Sequence, residues 1–287
     1  MNTLGQRPLW SFLSTKPPIQ VVTNTRVRAD PGVEVRTYAA LAERVAQLSS
    51  RNPDLVLLYR GQAHDYRNLQ RNTAIKPGIF RPDPRTRKHP DGAEIARRYA
   101  RLEAGERELQ HIYRQREFFG QERVRRYRIL RWAILQHYEV CPTPLLDVTH
   151  SLRVAASFAA HGADAETFLY VLAVPNLAGA ITASSEEGVQ ILRLSSICPS
   201  IALRPHFQEG YLLGEYPELA SLDQERLYAY HEIDFGLRLI AKFHFHPATF
   251  WKDPSFPMIP KTALYPDARD EFFKVAGQIR KSLGPAV

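Results

Sequence analysis

Pro142-Thr143-Pro144-Leu145-Leu146-Asp147-Val148-Thr149-His150-Ser151 is the stretch that decides the fold. Its two prolines end a long helical block, because proline lacks the N–H and fixes φ. Leu145-Leu146-Asp147-Val148-Thr149 then reads as a short buried strand. Ser151 to Ala160 follows as a helix with Val154, Ala155, Phe158 and Ala159 on one face. Phe168 to Val174 is the clearest strand in the chain. Polar groups crowd both ends of the first strand: Gln136, His137 and Tyr138 before it, Thr149, His150 and Ser151 after it. Two accounts stand side by side. Ser151 is a helix cap and Asp147 a core anchor, or these groups line a site at the strand ends.

Working outward, Leu55 to Tyr59 is a continuous apolar run, a second buried strand with Arg60-Gly61-Gln62 at its end. Before it, Thr37 caps a helix that runs to about Leu48. Residues 1–36 read as an N-terminal arm broken by Pro17, Pro18, Pro31 and Gly32. Residues 73–92 are loop-like. Residues 93–138 are helical, with breaks expected at Gly105 and Gly120. Beyond Val174, Val189 to Leu194 and Tyr211 to Leu213 are weaker strands. Asp223 to about Lys242 reads as an amphipathic helix, and Asp267 to Ser282 as the last one. Strands and helices mix without strict alternation. The expectation is an α+β fold: one domain, residues 37–287, with a mixed sheet and a mainly helical, Arg-rich insertion.

Composition narrows the class. The chain has 287 residues, 44% hydrophobic and 24% charged, which argues against a disordered or fibrous protein. No apolar run reaches the ~20 residues of a membrane span, and Met1 to Ser14 show no secretory pattern. Two cysteines, Cys141 and Cys198, are too few for a disulfide scaffold or a thiolate zinc site and fit a reduced cytoplasmic compartment. Cys141 reads as a buried, inert thiol. Phosphate-loop, GxGxxG, HExxH and GxSxG signatures are absent. His244 and His246 share one face of a strand but do not make a metal site by themselves.

The net charge is +8, and 30 of the 38 basic residues are Arg. Arginine's planar fork grips phosphate or carboxylate with two bonds. Eleven arginines lie between Arg97 and Arg131, among them Arg98, Arg101, Arg123, Arg125, Arg126 and Arg128, with five glutamates interspersed. They form either a salt-bridged helical face or a surface that tracks the phosphates of RNA or DNA. Arg60 poses a similar choice. A permanent cation after a buried strand needs an anion, either a neighbouring carboxylate or a ligand phosphate. Gly61 beside it lets another group approach the backbone.

These segments together resemble the FRG domain family, whose name comes from a Phe/Tyr-Arg-Gly motif. Tyr59-Arg60-Gly61 matches it, with Gln62 in pattern. Pro77 to Arg81 resembles the family's Pro-x-x-x-Arg element. Gln136-His137-Tyr138 through Pro142-Thr143 to Leu145-Leu146-Asp147 and Thr149 resembles its longest signature. Arg204 to Tyr211, with Gln208 and Gly210, and Tyr265-Pro266-Asp267 resemble later elements. Glu139, Pro144 and Val148 depart from the family's Gly, Arg and Trp.

A weaker resemblance, to ADP-ribosyltransferases of the Arg/Ser-Thr-Ser/Glu type, implies an activity. Arg60 would hold the dinucleotide NAD, with Gly61, Gln62, His137, Tyr138, Asp147, Thr149 and Ser151 around it. Gln208 or Glu209 would serve the ribose, with Glu187 and Glu232 as outside candidates. Cleaving the nicotinamide–ribose bond builds oxocarbenium character that a carboxylate stabilises. The resemblance implies an NAD-dependent toxin or phage-defence effector. It would modify nucleic acid or protein, with an antitoxin as a possible partner. The alternative is a non-catalytic nucleotide- or nucleic-acid-binding FRG module.

Overall fold

The chain opens with a hairpin, Leu9–Leu13 (β1) against Lys16–Val22 (β2), then helix Asn24–Ala29 (α1) and strand Val33–Glu34 (β3). The computed structural model describes residues 4, 7–83, 86, 88–163, 165–218, 233–266 and 269–285. The first 36 residues, expected as an arm, thus carry secondary structure. Leu9, Phe12, Leu13, Val22 and Val27 sit in the common core. Prolines do not forbid this, because an edge strand leaves one row of donors unused. β3 joins the main sheet by pairing in parallel with Leu239–Phe245 (β10).

That sheet is mixed, with eight strands in the order β3-β10-β6-β4-β5-β9-β8-β7. Val56–Gln62 (β4), Leu146–Thr149 (β5) and Thr167–Val174 (β6) fill its middle; Ile181–Ser184 (β7), Val189–Arg193 (β8) and Gly210–Glu215 (β9) extend one side. The fold is α+β, as the sequence predicts. β4 and β5 are antiparallel neighbours with Tyr59 opposite Thr149. Arg60 lies inside β4 opposite Tyr170, not at the strand's end, because pairing with β6 continues to Gln62 opposite Phe168.

The described end of the helix expected over 223–242 is a short 3-10 turn, Phe235–Arg238, followed by the start of β10 at Leu239. Its run Leu239-Ile240-Ala241 and Phe243 is buried throughout, so neighbouring elements cover both faces and the amphipathic pattern loses its meaning. The first part of that expected helix, 223–232, lies outside the described residues.

Helix Tyr38–Arg51 (α2) starts where Thr37 Oγ1 accepts from Ala40 N at 3.1 Å. The Arg-rich block is three helices: Gly92–Gln115 (α3), Gln121–Arg126 (α4) and Arg128–His137 (α5). Gly120 breaks it with φ 84°, a left-handed value that suits glycine. Gly105 does not break it. It is buried within α3, where the absent side chain leaves room for Leu135 and Cys141. Cys141 is buried, and desolvation pushes its thiol up to about 12. The last helix begins at Glu271 rather than Asp267, because Asp270 accepts from Phe272 N at 2.9 Å and caps it.

Helix Leu152–Ala160 (α6) packs on β4, and Gly61 makes that packing feasible. A Cβ there would sit 2.0 Å from Ala155 O and 2.7 Å from Ala159 N. Strand alternation then sends Arg60 and Gln62 to the other face. No helix among the described residues is long and apolar enough to cross a membrane.

Candidate functional site

The two polar ends expected from the sequence meet. Arg60 Nη1 donates to the Asp147 carbonyl at 2.5 Å, and Arg60 Nε donates to Gln62 Oε1 at 2.8 Å. The Asp147 side chain is held from α5. Gln136 Nε2 donates to Oδ2 at 2.7 Å, and His137 Nδ1 lies 3.4 Å from Oδ1. Thr143 Oγ1 orients Gln136 by donating to its Oε1 at 3.0 Å, and itself accepts from Leu145 N at 3.1 Å. Gln136, His137, Thr143 and Asp147 therefore form one polar chain around a single carboxylate.

Charge at this point is unbalanced. Desolvation lowers the Arg60 guanidinium to about 10, and the charge of nearby Arg81 works in the same direction; Asp147, Tyr170 and Tyr265 oppose them. Desolvation also lowers Arg81, against Asp147 and Tyr66. Arg81 Nε donates to the Lys76 carbonyl at 2.8 Å. Neither arginine makes an ion pair among the described residues. Desolvation would raise the Asp147 carboxyl, but hydrogen bonds from His137 and Gln136, with Arg60 nearby, hold it down at about 2. Desolvation lowers His137, which is 3% exposed, so its neutral ring donates through Nδ1, and Nε2 has no partner among the described residues. Two cations thus share one carboxylate, a balance that favours an anion.

The loop after β4 is tied down behind this cluster. Buried Lys242 on β10 reaches Asp65 at 2.9 Å and Thr73 Oγ1 at 2.7 Å; Tyr170 Oη donates to Asp65 at 3.0 Å. Desolvation lowers the Lys242 ammonium, and its hydrogen bond to Asp65 opposes this. Sequence reading missed this network, since a lysine in an apolar run gives no hint of its partner.

The other residues expected at the site are placed as follows. Gly61 serves the α6 contact. Thr149 Oγ1 donates to the Gln208 carbonyl at 2.7 Å and accepts from Ser151 N at 3.0 Å. Ser151 stands at the N-cap position of α6 but makes no side-chain cap hydrogen bond. Tyr138 Oη donates to Asp270 at 2.9 Å, beneath the Phe272 ring. Gln208 is buried, and its Nε2 donates to the Leu264 carbonyl at 2.8 Å. Glu209 is exposed, with φ 45°. Glu187 is paired with Arg238 at 2.5 Å; Glu232 and Asp267 lie outside the described residues.

Glu139, where the family resemblance has Gly, keeps the left-handed backbone at φ 54° and pairs with Arg204 at 2.5 Å. Arg204 also stacks on Tyr265 with its guanidinium carbon 4.4 Å from the ring centre.

Much of the helical arginine charge is neutralised locally. Arg97 and Arg98 pair with Glu94, Arg125 with Glu122, and Arg128 and Arg131 with Glu106. Arg101 donates to the Leu283 and Gly284 carbonyls. Arg123 and Arg126 are exposed, with no ion pair among the described residues. Among the described residues there is no cluster of His, Cys, Asp and Glu that could hold a metal ion.

Residues 56–167 match the FRG domain, and the chain carries that domain there. The matched span runs from β4 through α3, α5 and β5 to the start of β6, and so contains the whole Arg60–Arg81–Gln136–His137–Asp147 cluster. The Arg204–Gly210 and Tyr265–Asp267 elements fall outside it. No curated protein and no solved structure matches the chain.

Proposed function

We propose that this FRG domain binds NAD and transfers its ADP-ribosyl group. Arg60 and Arg81 would take the pyrophosphate, and Asp147 would face the nicotinamide ribose. The observation that carries this reading is the pair of half-buried guanidiniums beside one ionised carboxylate. A pyrophosphate supplies the missing negative charge, and guanidinium forks suit its oxygens. In the chemical step the ribose–nicotinamide bond breaks and its electron pair leaves with nicotinamide, which departs neutral. The ribosyl carbon gains oxocarbenium character, which the carboxylate stabilises. An acceptor nucleophile then donates its pair to that carbon and loses a proton. Asp147 takes the role here that the ADP-ribosyltransferase resemblance gives to Gln208 or Glu209, because Gln208 is bonded to Leu264. A toxin or phage-defence effector with a nucleic-acid or protein acceptor fits this chemistry.

One observation favours the non-catalytic module: both Asp147 oxygens already face donors, Gln136 and His137. Calorimetric titration of NAD into wild type, Arg60→Ala and Arg60→Lys, with NAD consumption by wild type and Asp147→Asn, separates the readings. Transfer requires binding lost in both Arg60 variants and turnover lost in Asp147→Asn. Arg60-dependent binding without consumption leaves the module. Binding that ignores Arg60 refutes both.

A further inference from the structure

The rim of the cluster carries an aromatic ring that the fold holds out toward solvent. Tyr66 is 59% exposed. It stands four residues past Gln62 in the chain, and hydrogen bonds lead there from the site. Arg60 bonds Gln62, and Gln62 Nε2 donates to the His64 carbonyl at 3.4 Å. The His64 ring then meets the Tyr66 ring edge-on, with centroids 6.0 Å apart. The Tyr66 phenol also lies within electrostatic reach of the Arg81 guanidinium.

The loop that presents Tyr66 is anchored at both ends. Ala74 N donates to the Tyr66 carbonyl at 2.8 Å. Arg67 ties the next position to the Ala29 and Asp30 carbonyls at 3.1 Å and to Asp65 at 2.7 Å. Asp65 in turn holds Lys242 and Thr73. These neighbouring polar groups are engaged inward, yet the phenol ring itself is left outside. A large aromatic held exposed by so many contacts costs apolar burial, and it suits a flat partner.

We infer that Tyr66, with His64 at its edge, is the stacking platform for an aromatic ring of the bound dinucleotide, while Arg60 and Arg81 hold its phosphates. This rests on the nucleotide reading above and adds the recognition of a base to it. Stacking on an aromatic side chain tolerates any flat heterocycle, so adenine and nicotinamide both meet the chemistry, and separate ligands distinguish them.

The test is calorimetric titration of ADP, nicotinamide mononucleotide and inorganic pyrophosphate into wild type, Tyr66→Ala and Tyr66→Phe. Tyr66→Ala is expected to weaken one base-bearing ligand about tenfold or more, with pyrophosphate within about twofold of wild type. Tyr66→Phe should bind all three as wild type does, because the ring and not the hydroxyl does the stacking. Loss with ADP assigns adenine; loss with nicotinamide mononucleotide assigns nicotinamide. The inference is overturned if neither base-bearing ligand weakens in Tyr66→Ala. It is equally overturned if pyrophosphate weakens as much, which would make Tyr66 a support of the loop, or if Tyr66→Phe is as damaging as Tyr66→Ala. Wild type that binds none of the three overturns the nucleotide reading, and this inference with it.

Discussion

Replacing Gly61 with alanine tests whether the motif glycine exists for packing or for a ligand. The added Cβ would lie 2.0 Å from Ala155 O, 2.7 Å from Ala159 N and 2.9 Å from Ala159 Cβ. Two of these atoms are backbone, so no side-chain rotation relieves the overlap. α6 must move off β4, in the middle of the sheet, and part of the buried Leu57, Leu58, Ala155, Ala156 and Ala159 packing goes with it. Overpacking of a core typically costs ~1–3 kcal/mol. With two backbone atoms in the way, the expected loss is at the top of that range, about 3 kcal/mol or more, against a total stability of roughly 5–15 kcal/mol. Urea denaturation followed by circular dichroism reads this directly. Gly277→Ala is the control, because nothing lies within 4 Å of its added Cβ. It sits in the last helix and should gain ~0.5–1 kcal/mol. If Gly61→Ala keeps its stability within ~0.5 kcal/mol, the packing argument fails. A folded Gly61→Ala protein that no longer binds NAD would instead mean that the glycine makes room for ligand.

The remaining predictions are more compact. Asp147 is held at about 2 against an ordinary value of 3.8, so its contribution to stability is complete above about pH 4 and disappears as pH falls toward about 2. Acid titration of wild type should show this component and Asp147→Asn should lack it; identical acid limbs would remove the carboxylate from the network. Gln208→Ala leaves the buried Leu264 carbonyl without its donor and should cost ~1–3 kcal/mol in urea, with NAD consumption per folded molecule unchanged. A selective loss of turnover would return Gln208 to the chemistry. Where oligonucleotide binding occurs, Arg123→Gln with Arg126→Gln should flatten its salt dependence by roughly one log–log unit for each phosphate that the two arginines neutralise. Arg125→Gln should change it less, because Glu122 already occupies that guanidinium. Equal effects would mean that the ion pairs do not screen the helical face.

The amino-acid sequence by itself determined the pieces and their meeting point. Continuous apolar runs at Leu55 to Tyr59 and Phe168 to Val174, and the mainly apolar Leu145 to Thr149 with Asp147 within it, mark central strands, since a strand covered on both faces is largely apolar. Thr37 and Gly120 mark a helix start and a helix break through local backbone chemistry. Arg60 and Asp147 stand out because ionic groups beside such runs need partners, and the two do meet across the sheet. Tertiary structure alone decided who those partners are. Gly61 answers to Ala155 and Ala159, Lys242 to Asp65, Gln208 to Leu264, and Arg128 and Arg131 to Glu106. None of these pairs lies within one or two turns of chain. Periodicity and capping are read over a few residues, whereas a buried polar group is satisfied by whatever the folded chain carries to within about 3 Å of it.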